Sequence, residues 1–282
     1  MSAPAARDPL PVTVIEPVKG WSWPNWAELW AQRELIYVLA RRDVAILYKQ
    51  SVIGAAWAVV QPLALAAVFS LFFGLLAHIK TGTDVPYPVF AVLGMVTWIY
   101  FSAALAKVAS STIENAPLIS KVYFPRLVIP LATMLAPTVD FAIGMVVAIA
   151  VTLAYGIVPP VQVVLVPLLV PCVLAVVLAF GLWLAAIHVK YRDIGNVVAF
   201  AILVGLFITP IVYPFSNIPD SYQVLYGLNP MVGVLELMRW MVLPGSGFPA
   251  MLLVVTVVEC AVLIATGILY YGRAERSFAD VI

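Results

Sequence analysis

The sequence predicts an all-α integral membrane protein: six transmembrane helices, an N-terminal amphipathic helix at the membrane interface, and re-entrant helices between spans five and six. Three observations predict it. Of the 282 residues, 64% are hydrophobic and only 10% charged, whereas a soluble domain carries about 25% charged residues to cover its surface. Six apolar stretches approach the roughly 20 residues needed to cross a hydrocarbon core about 30 Å thick. Lys and Arg, finally, gather in alternate connecting segments.

Taken in chain order, residues 1–23 read as a cytoplasmic tail. Pro4, Pro9, Pro11 and Pro17 among scattered charges leave no apolar core for a cleavable signal peptide, so the first span is expected to be its own targeting signal. Residues 24–50 read as one amphipathic helix. At about 100° per residue, Trp26, Trp30, Tyr37, Ala40, Val44 and Tyr48 share a face, with Glu28, Gln32, Arg42 and Lys49 on or near the opposite side. Arg33 intrudes on the first face and Leu35 on the second. Trp and Tyr beside basic residues suit the headgroup layer, as a plain lipid anchor or as a helix that also docks a partner.

Residues 51–271 form the six-span domain, with spans at Val52–Ala77, Pro88–Ala106, Leu127–Val158, Val161–Val189, Ile194–Tyr213 and Phe248–Tyr271. Pro159 and Pro160 mark a tight turn between the third and fourth. With the N-terminus inside, segments 1–51, 107–126, 190–193 and the tail 272–282 hold thirteen of the fifteen Lys and Arg, leaving only Lys80 and Arg239 outside. That bias places both termini inside, on the cytoplasmic face of the membrane. In the loop 107–126, Ser111 and Glu114 have the Ser-x-x-Glu spacing of a capping box, which predicts a short helix beginning there before Pro117 and Pro125 break it. Such a helix is either a handle for a partner or a passive turn. Between Phe215 and Gly247, Pro219, Pro230 and Pro244 alternate with apolar patches, predicting two short helices that dip into the outer leaflet and cap an opening.

Candidate chemistry is sparse. Cys172 and Cys260 lie in apolar stretches as small hydrophobes, and His78 and His188 have no ligand-type neighbours, so no metal site is expected. Net charge is +1, which gives no electrostatic case for nucleic acid. The G-x-x-x-x-G-K-[ST] loop, a G-x-S-x-G elbow, an H-E-x-x-H pair and a cluster of carboxylates on one face are all absent, so the chain is expected to bind no cofactor and to catalyse no reaction itself, with energy coming from another polypeptide or a gradient. Asp140 and Glu259 fall at membrane depth, where each must face protein or water. They form either a polar wall that meets substrate hydroxyls or carboxyls bonded to a neighbouring helix. Glu236 and Arg239, one helical turn apart, read as a local ion pair or an outer gate. Tyr87, Phe90, Tyr213, Phe215, Tyr222 and Tyr226 gather at outer span ends, with Trp98, Tyr100 and Phe101 deeper. They are an interfacial belt or a surface on which sugar rings stack.

The run Arg41-Arg42-Asp43-Val44-Ala45-Ile46-Leu47-Tyr48-Lys49-Gln50, followed by Gly54 to Trp57 and Gln61-Pro62, resembles the membrane subunit of type-2 ABC exporters. More narrowly, it is similar to permeases for O-antigen, capsular polysaccharide or teichoic acid. The likeness continues through Asn115, Lys121-Val122-Tyr123-Phe124-Pro125-Arg126, Tyr191-Arg192-Asp193, Thr209-Pro210-Ile211-Val212-Tyr213-Pro214, Leu228-Asn229-Pro230 and Arg276-Ser277-Phe278-Ala279-Asp280-Val281.

The resemblance implies a gate helix at Trp26–Lys49, a coupling helix within Ser110–Lys121 that rests on an ATPase, and re-entrant helices within Phe215–Val242. It further implies a homodimer with two separate P-loop ATPase chains, which bind ATP and Mg, and a lipid-linked glycan carried outward between the permeases. The coupling and gate residues would be Arg41, Arg42, Tyr48, Lys49, Ser111, Glu114, Asn115, Lys121, Tyr123 and Arg126. The path would be lined by Trp57, Tyr87, Phe90, Trp98, Tyr100, Phe101, Asp140, Tyr213, Phe215 and Glu259, with Glu236 and Arg239 at the outer gate. A type-2 permease for a small hydrophobic molecule or drug is the nearest alternative. A membrane-embedded enzyme acting on lipid-linked sugars and a non-transporting anchor for a synthase complex are further ones.

Overall fold

The computed structural model describes residues 23–49, 54–82 and 85–281, with side chains through Glu275. Residues 1–22 of the expected N-terminal tail, the first residues of span one and the side chains of Arg276–Val281 lie outside the described residues. Regular structure among the described residues is entirely helical. Five stretches among the described residues are long and apolar enough to cross a membrane: Gly54–Leu76, Tyr87–Glu114, Val128–Ala154, Val161–Lys190 and Ala250–Glu275.

Proline shapes several of these stretches. The first is α3 (Trp57–Phe69), which accepts Pro62 internally and then widens into a π-helical turn, Ser70–Leu76. Pro86 caps α4 (Tyr87–Glu114), where Pro88 sits in the first turn without wasting a donor. The third stretch is one span by composition but two helices in fact, α6 (Val128–Thr133) and α7 (Pro137–Ala154). Pro137 has no N–H, and its ring crowds the carbonyl four residues back, so the chain restarts there. At the end of α7, Gly156 (φ 77°) adopts the left-handed conformation. Its N–H reaches Leu153 O at 2.9 Å while Ile157 N–H reaches Thr152 O at 3.2 Å, a Schellman stop. The chain then turns through Pro159-Pro160 into a 3₁₀ segment, Val161–Leu168, and α8 (Leu169–Lys190).

The fifth expected span is shorter than its composition suggests. α9 runs only Ile194–Ile208, about 22 Å at 1.5 Å per residue. Thr209 precedes a proline and takes extended values (φ −78°, ψ 137°), as a residue before proline prefers. The non-helical stretch 209–214 leads through Phe215–Asn217 to α10 (Asp220–Gly227) and α11 (Pro230–Val242). Asn229 caps α11 by accepting from Met231 N–H at 3.1 Å, with Pro230 in the first turn. The last helix, α12 (Ala250–Val281), continues straight through the segment expected to be a tail.

Helix α4 is the centre of the bundle. It is buried along 78% of its most apolar stretch, against 17–39% for the other four. The tightest approaches to it are at glycine: a Cβ on Gly94 would lie 2.7 Å from the Ile211 carbonyl oxygen. Gly94→Ala must therefore displace backbone, and a loss of about 1–3 kcal/mol is expected from overpacking. A lower melting temperature of the detergent-solubilised protein would register it; an unchanged one would mean that Ile211 yields freely.

The N-terminal region is two helices, α1 (Trp26–Ala31) and α2 (Arg33–Lys49), separated at Gln32 (φ −90°, ψ 14°), where a single helix was expected. The expected aromatic side is seated only in part: of its members Ala40 is buried and Val44 and Tyr48 are half-buried, whereas Trp26, Trp30 and Tyr37 stay exposed, and Leu29 and Leu39 from outside it are buried. Leu29 and Leu39 join Phe124, Val128, Ile129, Ala185, Val189 and Tyr271 in a second apolar core at this end of the molecule. The aromatic edge is left outward for a headgroup layer or another surface.

Candidate functional site

At the α2 end, the N-terminal helices are tied to the rest of the chain by polar contacts at two points. Arg42 donates to Asn115 Oδ1 at 2.9 Å and pairs with Asp43 at 2.8 Å. Asn115 is itself buried, fixed by donating to Ser111 O at 2.9 Å. Six residues on, the Tyr48 hydroxyl donates to Asp140 Oδ1 on α7. Burial first, and Asp140 second, push the Tyr48 phenol well above its ordinary pKa, so it remains a donor at any physiological pH.

The same end carries a cleft of about 640 Å³, lined among others by Trp23, Glu28, Lys121, Tyr123, Arg126 and Glu275. Arg126 bonds the Glu275 backbone oxygen and lies 3.7 Å from its carboxylate. Thr112 and the Tyr271 hydroxyl are 3.1 Å apart. Loop 115–126 is thus fastened to α12 on one side and α2 on the other, while Val122 and Tyr123 project from it, 50% and 70% exposed. Ser111 does not cap a new helix. α4 runs on to Glu114, Ser111 Oγ turns back to Val108 O at 2.7 Å, and it is Ser110 that meets Glu114, at 2.6 Å. The short helix that follows, α5 (Ala116–Ile119), starts with Pro117 in its first turn.

A comparison decides what these parts belong to. The family model for the ABC-2 type transporter matches residues 34–243, from the start of α2 to the end of α11. The chain belongs to the ABC-2 type transporter family. Its curated relatives include the "O-antigen export system permease protein RfbA" of Myxococcus xanthus, 29% identical over 211 residues, 74% of this chain and 80% of that one. A Klebsiella pneumoniae protein of the same name is 24% identical over 251 residues, 88% of this chain and 95% of the relative. The "Polysialic acid transport protein KpsM" of Escherichia coli is 24% identical over 219 residues, 76% and 83% of the two chains. The chain is a type-2 ABC permease, and membership in that family implies an ATPase subunit as partner.

Within this ABC-2 permease, five of the aromatic candidates are interior. Tyr87, Phe90, Trp98, Tyr100 and Phe101 are each 8% exposed or less. They point into the core because α4 is central, and each is occupied there. Tyr87 donates to Val212 O, Trp98 packs 5.2 Å from Phe101, and Tyr100 stacks on Phe141 at 4.6 Å with its hydroxyl 2.9 Å from Thr138 Oγ1. Trp57, 52% exposed, Tyr100 and Asp140 border one small groove of about 110 Å³ between α3, α4 and α7. Glu259 is not brought to Asp140: its Oε2 is buried on α12 without a hydrogen bond among the described residues. Of the remaining candidates, Arg41 and Lys49 are exposed on α2.

At the far end, Arg239 is 3% exposed and does more than pair with Glu236. Its Nη2 donates to Pro210 O at 2.7 Å and Ile211 O at 3.1 Å, and its guanidinium lies 4.0 Å over Phe90. Asn229 adds a bond to Thr209 Oγ1 at 2.9 Å. Composition could not reveal this role, though the quoted Thr209–Pro214 and Leu228–Pro230 motifs contain most of the partners. Tyr213 bonds Phe207 O and Ile208 O. Phe215, Glu236 and Arg239 border an open cavity of about 460 Å³.

Proposed function

We propose that this chain is the transmembrane subunit of an ATP-driven exporter that moves a lipid-linked polysaccharide, of O-antigen type, from the cytoplasmic leaflet of the bacterial inner membrane outward. The names of the relatives support the substrate class. In this reading α9 with the stretch 209–214 completes a sixth span, α10 and α11 are re-entrant from the outer side, and both termini are cytoplasmic. Two copies form the working unit with two P-loop ATPase subunits, which hold ATP and Mg. The permease supplies path and gate, with no covalent chemistry of its own.

The observation that carries the reading is the double attachment of α2, to Asn115 through Arg42 and to Asp140 through Tyr48. The exposed Val122–Tyr123 knob is the surface on which an ATPase would rest. A push there moves the 115–126 loop, and Arg42 hands that movement to the gate helix. The surfaces left for the path are Trp57, Tyr213, Phe215 and the Asp140 groove, the five buried rings serving as their packing support. Exposed apolar residues on α9 such as Phe200, Leu203 and Phe207 face lipid or the second copy.

Purification of the tagged chain from its native membrane is expected to recover a P-loop ATPase, and Val122→Asp with Tyr123→Ala to reduce that recovery about tenfold, as for loss of a central interface anchor. In proteoliposomes, the complex is expected to move lipid-linked polysaccharide only with ATP. Transport by the permease alone, with neither ATP nor a gradient, would overturn the reading. Efflux of a small hydrophobic dye without glycan export would redirect it to a small-molecule permease.

A further inference from the structure

We infer that the far-end cavity of each protomer, bordered by the path residue Phe215, is a binding site for a neutral sugar unit of the emerging polysaccharide. The inference rests on the polysaccharide reading above and adds to it a site and a chemical class of ligand.

The cavity, about 460 Å³, is large enough for one or two pyranose rings. Its wall combines the two features that bind sugars. Phe215 supplies aromatic surface, Phe90 lies beneath the Arg239 guanidinium, and Ser216, Gln223, Glu236 and Arg239 supply polar groups. The polar groups are also partly unspent. Arg239 uses Nη1 and Nη2 on Glu236 and two carbonyls, but its Nε is buried with no hydrogen-bond partner among the described residues. An orphaned donor of that kind is uncommon in a folded protein and calls for an explanation. Gln223 spends its Nε2 on Ile218 O at 3.0 Å and Asp220 Oδ1 at 2.8 Å, which leaves its amide oxygen to accept.

Charge decides the ligand class. Arg239 and Glu236 cancel, so the site carries no net attraction for an anion, and the Glu236 carboxylate repels one. A vicinal diol satisfies such a pair: one hydroxyl donates to Glu236 or to the Gln223 oxygen while another oxygen accepts from Arg239. A purely apolar occupant would leave those groups desolvated and unpaired. The cavity also lies on the elements that seal the broken backbone after α9, so an occupied site would brace that end in one conformation.

The test uses the permease–ATPase complex in nanodiscs, with mannotetraose, cellotetraose and an α2,8-linked sialic acid tetramer as probes and saturation-transfer NMR as the readout. At least one neutral tetramer is expected to bind, and the sialic acid tetramer at least about tenfold more weakly. Gln223→Ala is expected to weaken binding about tenfold, and Ser216→Trp, an exposed position that fills the cavity, to abolish it. Both variants leave Arg239 and the core intact, and circular dichroism checks that they fold. Failure of both neutral probes, stronger binding of the anionic one, or full binding by folded Ser216→Trp would overturn the inference. Surface display of the cell's own glycan, followed in parallel, separates the two levels. Export without probe binding sinks only the cavity, whereas a chain that exports no glycan in any form sinks the polysaccharide reading as well.

Discussion

Arg239→Leu, which puts a shorter and purely apolar side chain at a buried position, is expected to leave almost no folded permease. The backbone after α9 is irregular and buried: Ile211 is 0% and Val212 1% exposed. Carbonyls in such a place need donors, since neither water nor a helix supplies them. Arg239 covers Pro210 O and Ile211 O, and Tyr87 covers Val212 O. Leucine withdraws the first two bonds and leaves two buried carbonyls without donors. Each such loss costs about 1–3 kcal/mol, together a large part of the stability of most domains. Fluorescence-detected gel filtration should show an aggregated or missing protein. Tyr87→Phe, which frees one carbonyl, should cost only about 1–3 kcal/mol and leave a monodisperse peak. Glu236→Gln keeps a hydrogen-bond acceptor for the guanidinium and should fall between the two. A well-folded Arg239→Leu protein would mean that the 209–214 stretch finds its donors elsewhere.

That role also marks the boundary of what the sequence made legible. Length and composition were enough for the long apolar helices, because a hydrocarbon core asks only for about 20 apolar residues in a row. Pro210 was visible too, yet its effect on span five depended on Thr209 taking the extended conformation. Whether the freed carbonyls were satisfied depended on Arg239, 28 and 29 residues away in the chain. The aromatic rings were misplaced for a related reason. Hydropathy assigns Tyr87, Trp98 and Tyr100 to a span but does not say that α4 is the central helix, in which nearly every face is an inner face. On α1 and α2 the Trp and Tyr residues mark one side, while Leu29 and Leu39, from outside it, pack into the apolar core that includes Val128 and Ile129 of α6. The link of Arg126 to Glu275 joins residues 149 apart, and no local pattern encodes it. The motifs quoted for the family fared better, since Asn115, Thr209 and Asn229 each prove to hold two segments together.

The two attachments of α2 make the second large prediction, and it separates motion from binding. Tyr48→Phe removes only a hydroxyl, and Arg42→Ala removes the tie to Asn115 on a half-exposed side chain. Neither lies in the apolar core that seats α2, so the helix should stay in place and the ATPase should still assemble. What is lost is the stiffness with which α2 follows loop 115–126 and α7. A hydrogen bond to a charged group contributes about 1.5–3 kcal/mol, so each single variant is expected to lower export about ten- to a hundredfold. The Arg42 and Tyr48 ties have no partner in common, which predicts near-additive effects in the double variant. ATP hydrolysis by the assembled complex should persist in all three, giving turnover uncoupled from export. A double variant that exports at the wild-type rate would show that the apolar seat alone transmits the movement. One that loses its ATPase would instead make α2 a docking element, with Arg42 and Tyr48 holding the shape of the surface that the ATPase meets.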